Sequence, residues 1–446
     1  MSTLTIAIII AFITGYACIA LESFTKVNKA AIALLMFVAC WTIFMINPAE
    51  FYPGAENLIA TVNEAIERHL GETATTLFFL MGAMTIVEIV DQNGGFNFVR
   101  DALCTTSKRT LLWRIALLTF IMSAILDNLT TSIVMVMLLR KLVKSQQDRL
   151  IYAALIVIAA NSGGAFSPIG DVTTIMLWNG GMLTAGGVIK EVFLPSLVSM
   201  VIPALILQRY LKGDLDQPER KMESAAEELN RRERRIIFYL GVGGLMFVPV
   251  FHSLTELPPF MGILLVLGLL WLTTELFYGH KKVKQADGMK KRVSKLLSRI
   301  DMATILFFLG ILMAVSCLQE IGVLSAMGQW LDGVSCGNHY LVTGVIGVIS
   351  SIVDNVPLVA GCMGMYPITA AGDMAVDGIF WQLLAYCAGV GGSMLIIGSA
   401  AGVVVMGLEK ITFGWYLKRI TWIAFVGYLA GMGCYWLLRT VILVTP

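Results

Sequence analysis

Long apolar runs separated by short polar segments dominate the chain. A helix needs roughly 20 apolar residues to cross about 30 Å of hydrocarbon, and several runs reach or approach that length. The pattern predicts an all-α polytopic membrane protein. The first run lacks a basic leading segment, so we expect a retained span rather than a signal peptide. The predicted spans lie near residues 4–21, 30–47, 73–92, 191–209, 236–251, 257–277, 301–318 and 420–440.

Two further apolar stretches, 110–139 and 341–366, are each interrupted by an Asp-Asn pair. The first reads ILDNLTT around Asp127-Asn128, and the second reads IVDNVPL around Asp354-Asn355. An ionisable side chain at bilayer depth costs at least about 3 kcal/mol and marks a functional site by default. Basic residues flank the first stretch on both sides, which favours a re-entrant helical hairpin. We expect the second stretch to form a matching hairpin that enters from the opposite side.

Two segments, 151–178 and 380–406, begin as helices and are then interrupted. The interruptions read NSGGAFSPIGD from Asn161 to Asp171 and GVGGSMLIIGS from Gly389 to Ser399. Clustered glycine and proline disfavour a continuous helix. Broken helices are tolerated at bilayer depth only where they are buried in protein or line a cavity. The sequence therefore predicts two broken helices around an internal site.

These features recur at a nearly constant spacing. The tip aspartates are 354 − 127 = 227 residues apart, and the first glycines of the two GG pairs are 391 − 163 = 228 residues apart. Each half holds four predicted spans and one broken helix, which together make five crossings, and one hairpin that does not cross. Because five is odd, the second half must be inserted upside down relative to the first. We therefore infer two inverted repeats, as in many secondary transporters. The predicted segments are a first repeat at 1–209, a cytoplasmic linker at 210–235 and a second repeat at 236–446.

Composition and charge agree with this topology. The chain is 57% hydrophobic and 14% charged with a net charge of +2, and its basic residues are spread over loops, so nothing indicates nucleic-acid binding. Placing the basic segments 210–235 and 279–300 in the cytoplasm puts the N-terminus and the acid-rich loop 48–72 outside.

Cysteine and histidine give no indication of a metal centre or a cofactor. The eight cysteines form no Cys-x-x-Cys motif and mostly lie in apolar runs. No P-loop is present, so ATP coupling is not expected. The histidines fall in predicted loops or at span ends: His69, His252, His280 and His339.

The two hairpin tips and the two helix breaks are expected to meet near the middle of the bilayer. They contribute three carboxylates that we expect to bind Na⁺: Asp127, Asp171 and Asp354. Neutral donors are expected beside them: Asn128, Asn161, Thr173, Thr174, Asn355, Ser393 and, with less support, Ser399. Glu88 is a candidate proton-path residue. Each group also has a structural interpretation, because aspartate caps helix N-termini and hydroxyls satisfy freed backbone groups.

The two tips, with the breaks NSGGAFSPIGDVTT and GVGGSMLIIGSAAG, resemble the NhaD-type sodium/proton antiporters. Their superfamily also holds arsenite and dicarboxylate transporters. The resemblance implies exchange of Na⁺ or Li⁺ for H⁺ across a bacterial inner membrane, and a homodimer is common in similar proteins. It connects transport with the polar residues of the tips and breaks. Dicarboxylate relatives carry Ser-Asn-Thr at the tips, so aspartate at both tips favours a cation.

Three other functions compete with cation exchange. Aspartyl proteases of the membrane also use two aspartates that share a proton, but they carry YD and GxGD motifs, whereas Leu126 and Val353 precede the aspartates here. Transport of an oxyanion such as arsenite, or of a carboxylate, is the main alternative. A passive channel is disfavoured because the lining is not a repeated pore ring. We expect a transporter that works by alternating access, and not an enzyme.

Overall fold

Helices make up most of the part of the chain that the computed structural model describes, namely residues 2–20, 27–95, 99, 102–211, 213–215, 229–279 and 293–442. The helices of the first half are α1 (Thr3–Ala20), α2 (Lys29–Ile46), α3 (Leu58–Gln92), α4 (Lys108–Leu126), α5 (Asn128–Leu142), α6 (Gln146–Ala165), α7 (Val172–Asn179) and α8 (Ala185–Leu207).

The second half is also helical in its described part. Its longer helices are α9 (Arg231–Thr255), α10 (Pro259–Gly279), α11 (Met302–Glu320), α12 (Val323–Ser335), α13 (His339–Ile349), α14 (Asn355–Met365), α15 (Ile379–Gly391), α16 (Ala400–Glu409), α17 (Phe413–Arg419) and α18 (Thr421–Leu437). Short helical turns cover Val293–Leu296 and Leu297–Arg299, and a π-helical turn, Leu438–Ile442, extends α18.

Eight of the described helices are at least 18 residues long and apolar enough to cross a membrane. Many of their outward side chains are large and apolar, such as Leu35 and Leu254, which are 72% and 75% exposed. Such a surface suits hydrocarbon rather than water. The chain is therefore a multi-pass, all-helical membrane protein, as the hydropathy pattern predicts.

Helix α3 differs from the sequence prediction, which placed a loop at 48–72. The helix begins at Leu58 and runs for 35 residues. Val62, Ala65 and His69 are buried along one of its faces, and this spacing of three and four residues is typical of an amphipathic helix. The assignment of His69 to a loop is therefore wrong: its ring lies 2.7 Å from Glu320 at the end of α11.

The first helix of the second half, α9, begins earlier than the sequence predicts. Helix α9 starts at Arg231, inside the predicted linker 210–235, because Asn230 and Glu233 form a reciprocal capping box there. Residues 212 and 216–228 of that linker lie outside the described residues, as do 280–292 of the basic segment 279–300. The division into two repeats and a linker stays a prediction.

Helices α4 and α5 form a hairpin with Asp127 between them. Lys108, at the start of α4, bonds Asp148 at 2.8 Å, and Asp148 lies only six residues beyond the end of α5. The hydroxyl of Tyr152 donates to the backbone oxygen of Lys108 at 2.8 Å. Both ends of the hairpin thus lie at the same end of the helix bundle. This is the geometry of a re-entrant hairpin, although the side from which it enters stays a prediction.

Matching contacts hold each hairpin against a broken helix. Ser123 of α4 donates to the backbone oxygen of Ala160 in α6, at 2.5 Å. Ser350, which ends α13, donates to Ala388 of α15 at 2.8 Å. The offsets, 350 − 123 = 227 and 388 − 160 = 228, are those of the sequence repeat. The two halves therefore use the same packing.

The helix breaks are shorter than predicted. Helix α6 continues to Ala165 and α15 to Gly391, so the breaks cover 166–171 and 392–399. Gly163 and Gly391 lie within these helices and allow close packing against the hairpins. An added methyl group would overlap the backbone oxygen of Phe120 at Gly163 and that of Gly347 at Gly391. Assigning the first GG pair to the break was therefore wrong, since these glycines serve helix contact.

Gly163→Ala and Gly391→Ala are each expected to lower the stability of the folded protein by about 1–3 kcal/mol, because backbone atoms in the neighbouring helix cannot move aside. Gly268→Ala in α10 is the matched control, since an added methyl group meets nothing within 4 Å there. Thermal unfolding of the purified variants measures the effect. Equal unfolding temperatures for all three would contradict the packing described here.

Candidate functional site

Hydrogen bonds connect the first hairpin tip to both broken helices. The side-chain amide of Asn128 donates to Asn161 Oδ1 at 3.2 Å. Asn161 in turn donates to Ser399 Oγ at 3.0 Å. All three residues are at most 7% exposed. The chain of contacts runs from the tip through α6 to the second break.

The second tip makes the reciprocal connection. Asn355 donates its side-chain amide to Asp171 Oδ2 at 3.4 Å, and an added methyl group on Gly389 would lie 3.2 Å from the same oxygen. We call Asn128, Asn161, Asp171, Asn355 and Ser399 the central cluster. All five were predicted from the sequence as site residues, and the structure brings them together.

The two sides of the central cluster are equivalent in position but not in chemistry. Asn161 corresponds to Gly389 (389 − 161 = 228) and Asp171 corresponds to Ser399 (399 − 171 = 228). On one side an asparagine meets a serine. On the other side a glycine leaves room for a carboxylate. The repeat therefore places one extra negative group and one missing side chain at the same point.

Each tip and each break ends in a residue that caps the following helix. Asp127 accepts from Thr130 N at 2.8 Å, Asp171 from Thr173 N at 3.3 Å, and Asp354 from Val356 N at 3.2 Å. Ser399 Oγ accepts from Gly402 N at 3.2 Å. The structural interpretation of these residues as N-caps therefore holds. It also brings four helix N-termini close to the central cluster.

The backbone of Asp127 is strained. Its φ of 103° and ψ of 159° fall in a region that is almost restricted to glycine and costs about 1–3 kcal/mol for other residues. Both carboxylate oxygens bond Thr130, one to the backbone N and one to Oγ1 at 2.8 Å. Asp354 has an ordinary φ of −51°. The two tips therefore share a sequence but not a conformation.

Asp171 is a buried carboxylate without a compensating cation among the residues that the structure describes. It is 1% exposed, and its hydrogen bonds come from Thr173 N and the amide of Asn355. Glu409, which is 2% exposed, bonds Arg140 at 2.7 Å and Arg149 at 3.0 Å. A buried charge without a partner is costly. The lack of a described counter-charge distinguishes Asp171 from Glu409.

The predicted hydroxyl donors divide into two groups. Thr174 Oγ1 donates to Ala165 O at 3.4 Å, and Ser393 Oγ donates to Val390 O at 2.6 Å, so both satisfy backbone groups near the breaks. The Thr173 side chain is fully buried and interacts with the carboxylate of Asp171, two residues before it.

Other predicted residues lie outside the central cluster. Asp354 bonds Lys29 at 3.1 Å and, like Asp127, interacts electrostatically with Asp171. Glu88 interacts electrostatically with Asp91, which also interacts with Lys141 at the end of α5. Lys29 was not predicted as a site residue, because a lysine at the edge of an apolar run reads as a loop charge.

A cavity of about 480 Å³ lies at the C-terminal end of α7. Helix α7 has eight residues, so its far end lies about 12 Å along the helix from Asp171. Both side-chain amide atoms of Asn179, at that end, are buried and have no hydrogen-bond partner in the described part of the chain. Polar groups of α3, α7 and α11 line the cavity: His69, Glu72, Thr76, Asn179, Ser316 and Gln319.

Comparison with known proteins agrees with this geometry. A family model described as "Citrate transporter" matches residues 16–384. Sodium/proton antiporter 1 of Arabidopsis thaliana is 45% identical over 431 residues, covering 96% of this chain and 72% of that protein. The Na⁺/H⁺ antiporter NhaD of Vibrio cholerae is 31% identical, covering 98% of this chain and 92% of that protein. The chain belongs to the NhaD-type antiporter family. The resemblance noted in the hairpin tips and breaks is thereby confirmed.

A solved structure shows the same fold. The YdaH transporter of Alcanivorax borkumensis matches with a TM-score of 0.59 at 11% identity, covering 92% of this chain and 98% of that one. At this identity the likeness extends to the fold alone. It supports the polytopic all-α fold predicted from the sequence, and the inverted orientation of the repeats stays a prediction.

Ser399→Ala is expected to lower the stability of the folded protein by about 1 kcal/mol, because Gly402 N loses its cap and Asn161 loses its acceptor. The matched control is Ser196→Ala: Ser196 is also buried, but its hydroxyl has no hydrogen-bond partner in the described part of the chain. Thermal unfolding of the two purified variants measures the difference. An equal effect of both substitutions would argue against the bonded central cluster.

Proposed function

We propose that this protein exchanges Na⁺ for H⁺ across a membrane, with Asp171 as the carboxylate that binds either ion. The burial of Asp171 without a described cationic partner is the observation that carries the proposal. The names of the relatives, sodium/proton antiporters of plants and bacteria, support it. Since one carboxylate cannot hold both ions at once, binding of one releases the other.

The oxygen atoms around Asp171 suit a small hard cation, because such ions prefer carboxylate, carbonyl and hydroxyl ligands. Thr173 is buried, and its side chain interacts with the Asp171 carboxylate. Helices α6 and α15 end at Ala165 and Gly391, and the carbonyl groups at such half-helix ends are used for Na⁺ in other inverted-repeat transporters. We propose that Na⁺ binds between Asp171, Thr173 and these carbonyl groups, with Asp127 and Asp354 adding negative charge nearby.

The transport cycle that we propose is alternating access. The two hairpins and the two broken helices move together against the remaining spans. Na⁺ enters from the cytoplasm and leaves outside when a proton binds, and Li⁺ can replace it. The cavity at the end of α7 is the proposed outer entrance. A bacterial inner membrane, which the resemblance to NhaD-type antiporters implies, and an external N-terminus, which the charge pattern favours, are part of this proposal.

Carboxylate transport is the second candidate, because the matching family model is described as a citrate transporter. The helix N-termini beside the central cluster would favour an anion. At three of the four, however, an aspartate already accepts from the N–H groups. A carboxylate substrate would therefore meet negative charge where it needs donors.

Asp171→Asn is expected to abolish Na⁺/H⁺ exchange, reducing its rate at least about 100-fold, because an amide cannot alternate between a proton and Na⁺. Asp332→Asn is the control, since this aspartate is 41% exposed in its side chain and lies on the separate helix α12. The assay is dequenching of a pH-sensitive dye by Na⁺ in proteoliposomes. Normal exchange by Asp171→Asn would contradict the assignment of Asp171 as the carboxylate that binds both ions.

The same vesicles separate the candidate substrates. Dequenching by Na⁺ or Li⁺, with no uptake of succinate, citrate or arsenite, is the result expected of a cation exchanger. Uptake of an anion with no response to Na⁺ would overturn the proposed function and favour the second candidate.

A further inference from the structure

Lys29 makes a contact that its position in the sequence does not predict. It is the first residue of α2, where it reads as a loop charge. Its ammonium group lies 3.1 Å from Asp354 Oδ2 at the tip of the second hairpin. The same nitrogen lies 4.2 Å from the centre of the Phe307 ring. The two charged side chains are 27% and 19% exposed, so water reaches the pair only in part.

Helix stability does not explain a lysine at this position. A cation in the first turn of a helix opposes the helix dipole, and Asn28 already caps α2 by accepting from Ala30 N at 2.8 Å. The ring of Phe307 offers a cation–π contact that holds the ammonium group in place. The lysine is therefore positioned for Asp354 rather than for its own helix.

The ion pair of Lys29 and Asp354 connects the continuous helix α2 to the tip of the second hairpin. Helix α2 packs on α1 and α11, and Gly310 of α11 allows an approach so close that an added methyl group would lie 2.6 Å from the backbone of Ala33. Asp354 precedes Asn355, which bonds Asp171. The ion pair thus connects helix α2, which packs closely on α11, to the residue next to Asn355 of the central cluster.

Among the described residues, Asp127 at the first tip has no corresponding ion pair. Asp127 directs both oxygens to Thr130. The residue that corresponds to Lys29 is Leu257 (29 + 228 = 257), which has no charge. The ion pair is therefore a second asymmetry between the repeats, alongside that of Asp171 and Ser399.

We propose that the Lys29 ammonium group competes with the transported cation for the negative charge of Asp354. Two cations beside one carboxylate repel each other, so a cation that approaches Asp354 weakens the Lys29 contact and loosens the second hairpin from α2. Lys29 acts through Asp354 and is a positioning residue. This inference rests on the proposed binding of Na⁺ at the centre.

Lys29→Met is expected to lower the KM for Na⁺ roughly fivefold, because the internal competitor is removed. Lys29→Arg keeps the charge and is expected to keep the KM within about twofold of the parent protein. The matched control is Lys108→Met, which breaks a Lys–Asp pair of similar exposure (21% and 17%) at the far end of α4. Exchange in proteoliposomes gives KM and the maximal rate separately.

A purely structural role would lower the maximal rate of Lys29→Met without lowering its KM, and that result would overturn the inference. An equal fall in KM for Lys108→Met would do the same.

The Na⁺ concentration that half-saturates thermal stabilisation of the purified protein gives a second readout without transport. It is expected to fall in Lys29→Met and also in Lys29→Gln, which serves if the first variant does not fold. If the parent protein shows no Na⁺ exchange, the proposed function fails; if it exchanges Na⁺ and both readouts are unchanged in the variants, the Lys29 inference alone fails.

Discussion

A carboxylate held at the centre of a membrane protein without a positive partner is the constraint on which the rest of this structure depends. Asp171 is in that position among the described residues, whereas Glu409 is neutralised by two arginines and Asp354 by Lys29. Removing a charge from water costs several kcal/mol unless it is compensated. Burial without a cationic partner favours a proton or a bound cation on Asp171, and this is the basis of the proposed exchange.

Close helix packing holds this carboxylate in place. Glycines at 163 and 391 allow the broken helices to touch the hairpins through backbone atoms, and serines 123 and 350 fix the same contacts with hydrogen bonds. Gly389, at the position that corresponds to Asn161, leaves space beside the Asp171 carboxylate. Matching contacts therefore hold both hairpins in the same way, and a few residue differences between the two halves distinguish their chemistry.

Much of the site was predictable because polar residues inside apolar runs are conspicuous. The tips, the breaks and the central cluster follow from that signal. Lys29 was not predictable in this way, since its partner depends on how α2 packs on α11 and not on spacing along the chain. The glycine pairs misled the placement of the first break because glycine serves both helix contact and chain reversal. The prediction made helix α3 too short because acidic residues in its first half suggested a loop. The buried residues 62, 65 and 69 nevertheless repeat with a helical period.

Competition between Na⁺ and a proton at one carboxylate is the central claim, and calorimetry tests it most directly. Na⁺ is titrated into the purified protein in buffers that differ in ionisation enthalpy, which counts the protons released on binding. The account predicts proton release that accompanies Na⁺ binding and weaker Na⁺ binding at lower pH. Saturable Na⁺ binding with no proton release, at any pH, would contradict it.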